Sequence, residues 1–195
     1  MSRLVRLLGC ALLVVVLAAC QGKKEQEEPM MDMQQAGQRS EAFLDGTMAA
    51  IRPPVEWAYG APMEEACSTG LNRPTGTTTV SRSRNILTVV SEQRRGELVE
   101  MVRRYWEQEG LRDFDVDADK EMPRIRATTA DGFVVILQVG SIGNVFVRVG
   151  TGCVKDSEMT YPTGTPGYPG GPKKVDLTPR KHSAFWSSSQ SQRQR

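Results

Sequence analysis

"SEQRRGELVEMVRRYWEQEG" (residues 91–110) is the stretch whose reading decides the fold. Leu98, Met101, Val102, Tyr105 and Trp106 recur at the spacing that puts apolar side chains on one face of a helix. Ser91 is an N-capping residue type and Gly110 a C-terminal stop, so the helix should run to about Glu109. Glu100 and Arg104 lie four apart in the orientation that supports a helix. The period then changes. Phe114, Val116 and Ala118 alternate with Asp113, Asp115, Asp117 and Asp119, which is strand spacing, until Pro123 breaks the run.

Next comes "RIRATTADGFVVILQVGSIGNVFVRV" (124–149), which predicts strands over 124–129, 133–139 and 144–149. Asp131 and Gly132 form one hairpin turn and "GSIGN" (140–144) a second. The run 133–139 is almost continuously apolar and suits a central strand. Upstream, 77–90 is rich in Thr, Val and Ile and reads as a long strand or a broken pair. Residues 40–51 predict a short helix, capped by Ser40 and stopped by Pro53 and Pro54, with Phe43, Leu44, Met48 and Ile51 on one face. Gly46 weakens it, and 55–76 reads as irregular. The expected fold is α+β: a small antiparallel sheet of four or five strands, one long helix on one face, a short N-terminal helix and disordered flanks. Its core, mostly in 77–153, is small enough for folding to be marginal.

The whole chain has 195 residues, a formal charge of +2 and 39% hydrophobic residues. That apolar share is below the roughly 45–50% of an average globular chain, which points to unfolded segments. A charge of +2 is too small to suggest a nucleic-acid partner.

The N-terminus names a compartment. Arg3 and Arg6 precede thirteen uncharged residues, 7–19, that end in Ala18 and Ala19. A basic start, a short apolar run and a small-residue end make a secretory signal. As a helix the run rises about 20 Å, short of the roughly 30 Å hydrocarbon layer. Leu17, Ala18, Ala19 and Cys20 resemble a bacterial lipobox. The resemblance implies a diacylglycerol on the Cys20 thiol and cleavage just before it. An ordinary cleaved signal and an uncleaved anchor are the alternatives. Two acyl chains anchor stably where one does not. Loss of 1–19 would leave 23 basic and 23 acidic side chains, so the expected membrane partner is lipid, held by grease rather than charge.

On that reading 20–39 is a disordered tether, 40–153 the domain and 154–195 a disordered Gly/Pro-rich tail with seven basic and three acidic residues. Met30, Met31 and Met33 carry thioethers that suit copper(I), but read as a greasy patch in the tether. With Cys10 cut away and Cys20 acylated, Cys67 and Cys153 are left to pair in an oxidising compartment. The bridge would contribute about 4–5 kcal/mol in the chain-entropy model.

Catalytic sets are scarce. The single histidine, His182, lies in the expected tail, so no Ser-His or Cys-His pair has a scaffold. "DFDVDADKEMPR" (113–124) fails as a calcium loop, with Ala118 where glycine and Arg124 where glutamate should stand. Asp115 and Asp117 could support a carboxylate hydrolase only if buried, which an exposed strand face does not provide. "GSIGN" lacks the lysine and following helix of a phosphate loop. No cofactor is expected. With "LAAC", a polar tether, the 94–110 helix, "TTADGF" and a closing "GTGC", the chain resembles small lipoproteins of actinobacteria. That resemblance implies location and fold, and no chemistry. The expected function is a non-enzymatic, membrane-anchored extracytoplasmic module that binds an envelope protein or supports assembly. The alternative is a binder of a small ligand or wall polymer, through the sheet face or the region of Trp57 and Tyr59.

Overall fold

A computed structural model of the chain describes residues 31–189. The signal segment, Cys10, Cys20, most of the expected tether and residues 190–195 lie outside the described residues. The described chain runs α1 (Met33–Ala50), β1 (Trp57–Tyr59), β2 (Met63–Thr69), β3 (Arg73–Ile86), α2 (Glu92–Gln108), β4 (Arg112–Asp117), β5 (Arg124–Thr128), β6 (Val134–Val139), β7 (Val145–Gly150) and β8 (Val154–Lys155). The fold is α+β with one antiparallel sheet. The sheet has eight strands and the helices are both long, where the sequence predicted four or five strands and one long helix.

The extra strands come from the length of β3. The sheet runs in the order β1-β3-β7-β6-β5-β4, with β2 and β8 also on β3. One flank of β3 takes β1 at its C-terminal end (Trp57 opposite Ile86) and β2 further back (Met63 opposite Ser81). The other flank takes β7 (Ile86 opposite Val145) and then β8 (Thr77 opposite Lys155). At 14 residues, β3 is too long for either neighbour alone. β2, "MEEACST", lies at the edge and is almost wholly exposed, so it carries no apolar alternation and 55–76 gave no strand signal.

The meander β4 to β7 follows the predicted turns, with Gly132 and Gly143 at positive φ. Ile125, Leu137 and Val147 line up across three strands, as do Ala127, Val135 and Val149. Both rows are buried and point to one face, where the helices pack. α2 buries Leu98, Val99, Val102 and Trp106. Each such side chain removed from water contributes about 1.5–3 kcal/mol. The Trp106 indole donates to Thr47 Oγ1 at 3.1 Å, which ties α2 to α1. Tyr105 places its hydroxyl where a side chain at Gly46 would stand, so that glycine allows the helices to approach.

Two boundaries are corrected. α1 starts at Met33 and not at Ser40. Asp32 caps it in a box with Gln35, and Ser40, fully buried, donates to the Ala36 carbonyl. Residues 33–39, read as tether, are its first two turns, and Met33 belongs to the core. The second correction concerns residues 154–189, read as disordered tail. Lys155 donates to Met31 O, Val89 to Lys181 O and Ser91 to Trp186 O. Trp186 is fully buried and donates its indole N–H to Pro53 O at 2.7 Å. The segment lacks helix and strand periodicity because it is a strap, held by isolated anchors rather than by a repeating face. Ser91 stands at the N-cap of α2, but its hydroxyl donates to Ser188 O and not to the helix.

Candidate functional site

Cys67 and Cys153 form a disulfide, with their Cα atoms 6.2 Å apart. Local structure brings them together. Between the pairs Ala66 opposite Thr78 and Ser68 opposite Pro74, β3 bulges, with Gly76 at φ +69°. Cys67 sits at that irregularity, and Cys153 lies in the short connection between β7 and β8, which flank the other side of β3. The bridge therefore crosses over β3 and staples its exposed N-terminal half.

Trp57 and Tyr59 both face Arg84, whose guanidinium carbon is 4.8 Å from the Trp57 ring centre and 4.2 Å from the Tyr59 ring centre. Arg84 has no exposure. It bonds Glu41 at 2.5 Å and Asp45 at 2.7 Å, two α1 carboxylates one turn apart. Arg82, two residues back on the same face, reaches the other Glu41 oxygen at 3.5 Å and Glu64 at 3.3 Å. Tyr161 from the strap covers Arg82 at 4.9 Å and donates to Glu64 at 2.5 Å. Burial first, and then that bond to Glu64, pushes the Tyr161 phenol far above its ordinary range. The network is an ionic layer between α1 and β3 whose charged groups are paired with one another, with smaller cavities of about 260 and 530 Å³ at its edge beside Tyr161.

A larger concavity lies elsewhere. Between the N-terminal half of α2 and the end of β4 lies a groove of about 650 Å³. Val99, Val116, Ala118 and Pro123 give it an apolar floor. Glu92, Glu100 and Asp119 stand on its rim against Arg103 and Lys120. Arg103 is itself bonded by Glu100 at 2.8 Å and by Glu107, and its hydrogen bond holds the Glu100 carboxyl below its ordinary range. Val116 is 47% exposed although it points to the core side, opposite Ile125. That exposure follows from topology: β4 is the last strand of the sheet, and nothing among the described residues pairs with its outer edge.

Gly96 lines the same groove. Nothing lies within 4 Å of where its side chain would stand, and its φ is not positive. A glycine inside a helix costs about 1 kcal/mol relative to alanine, and here packing does not require it. What it does is keep the groove wide.

Asp115 and Asp117 lie on exposed β4, on the face away from the core, with Asp115 3.2 Å from Arg124. They lack the burial that acid catalysis would need. His182 is exposed on the strap. Among the described residues no cluster of three or more His, Cys, Asp or Glu side chains could hold a metal ion. Among them, too, no helix is long and apolar enough to cross a membrane. Cys20 lies outside the described residues.

No family model matches the chain. No curated protein matches it either. A solved DUF4853 family protein from Actinomyces odontolyticus is similar in structure, at 14% identity over 61% of this chain and 67% of that chain, with a TM-score of 0.41.

Proposed function

We propose that the protein is a lipid-anchored module on the extracytoplasmic face of the cell membrane that binds a partner and catalyses nothing. The observation that carries this reading is the bond between Cys67 and Cys153. A disulfide persists in an oxidising compartment and is rare in a reducing one, which agrees with the secretory pattern of residues 1–19. With those thiols joined, Cys20 is the thiol left at the lipobox for acylation. The binding role rests on the groove between α2 and β4, which has an apolar floor and a charged rim and lies within the size range of ligand sites. Trp57 and Tyr59 support binding less well, because Arg84 occupies both rings.

The test is position-specific crosslinking in intact membranes. A photoreactive side chain at Gln93, on the groove wall, should give a discrete adduct. The same group at Leu71, exposed on the β2–β3 turn, should not. Gly96→Leu in the Gln93-labelled protein should remove the adduct by filling the groove. Equal labelling from both positions, or none from Gln93, contradicts a binding role for this site.

A further inference from the structure

We infer that the groove accepts an extended, basic segment of another protein, which adds itself as a strand to the free edge of β4. The inference rests on the binding role proposed above and names the chemistry of the occupant.

An unpaired strand edge presents a row of N–H and C=O groups, a template for an incoming strand. β4 is such an edge over Asp115, Val116 and Asp117, after a register shift at Asp113 (φ +55°), and the groove lies between this stretch and α2. Register sets what an added strand would meet. Val116 lies opposite Ile125, whose side chain is buried under the helices, so Val116 faces the groove. Asp115 and Asp117 lie opposite Arg126 and Arg124 and face the other side. A strand laid along β4 would then place one residue beside Val116, in the apolar groove, and its two neighbours beside Asp115 and Asp117. The matching pattern is basic, apolar, basic.

Charge decides among possible occupants. Glu92 on the groove rim has no ion-pair partner among the described residues, Asp119 accepts only the backbone N–H groups of Glu121 and Met122, and Arg103 is neutralised by Glu100 and Glu107. A second copy pairing through β4 would set aspartates against aspartates, and like charges across strands are destabilising. An acidic segment would meet the same repulsion. A basic one gains cross-strand pairs with the Asp115 and Asp117 oxygens that Arg124 and the Asp119 N–H leave open, beside Glu92 on the rim. Gly96 keeps the groove wall clear where the apolar side chain would enter.

The experiment uses the full chain in a non-ionic detergent and fluorescent seven-residue peptides of alternating Lys and Val. Anisotropy should show binding at least tenfold tighter than for an alternating Glu and Val peptide. Gly96→Leu, which leaves the core untouched, should weaken it at least tenfold. Two further Lys/Val peptides carry N-methyl groups on opposite alternate residues. One should lose binding and the other keep it, since only one edge of a strand pairs. Equal affinity for both charge types, indifference to Gly96→Leu, or equal behaviour of the two methylated peptides overturns the inference. So does a dimer in sedimentation that Asp115→Lys abolishes. If the Lys/Val peptide fails while the Gln93 adduct forms in membranes, the groove still binds and the occupant assigned here is wrong. If both fail, the binding site falls as well.

Discussion

Arg84 carries its charge at a site with no exposure, and it is tolerated there because every side of the guanidinium is answered. Glu41 and Asp45 supply charge, Ser83 O accepts at 3.3 Å, and two rings lie across it. Removing one partner of such a pair strands the other, so Arg84→Ala should destabilise the fold by about 3 kcal/mol in chemical denaturation. Arg84→Lys should recover only part of this, since an ammonium cannot serve both carboxylates in a fork. Tyr161 gives a pH effect. Its phenol is raised in the folded protein by burial and by Glu64. The unfolded phenol ionises near pH 10, so above that the unfolded state releases its proton first and stability should fall as pH rises. Tyr161→Phe should flatten that loss in alkaline melts. Val80, Arg82, Arg84 and Ile86 form one period-two row on the buried face of β3. What made it unreadable was its partner. Glu41 and Asp45, one turn apart, become an ionic layer only when α1 is known to lie on that face.

At the scale of elements, the strap is the part that periodicity could not disclose. A segment anchored by Tyr161, Lys181 and Trp186 has no repeat to detect, and its Gly/Pro composition matches that of a coil. Trp186→Ala should cost about 3–5 kcal/mol, the usual range for a buried tryptophan, and should raise proteolysis in the strap first. If the variant melts like the wild type, the strap is not structural. α1 was half legible. Its second half shows an apolar stripe, whereas its first half buries Ala36, Gly37 and Ser40, small residues that look polar or neutral. The capping box of Asp32 and Gln35 was the signal that marked its true start. α2 and the meander were readable because strong periodicity and turn residues agree there. The groove was not readable, since it depends on which strand ends the sheet.

For the whole molecule, a small core, an ionic layer and a crosslink must together hold a sheet of eight strands. Loss of the Cys67–Cys153 bond should lower stability by about 4–5 kcal/mol, and the change should be greatest in β2 and the N-terminal half of β3 by hydrogen exchange. The proposed location, outside the cytoplasmic membrane, joins the crosslink to the secretory pattern of residues 1–19 and the lipobox resemblance at Cys20. The measurement that tests this most directly is the intact mass of the protein extracted from membranes. The account predicts a chain that begins at Cys20, carries at least two acyl chains on that residue, and is two hydrogens lighter for the bridge. A full-length, unacylated chain recovered from the soluble fraction with Cys67 and Cys153 both free would contradict it.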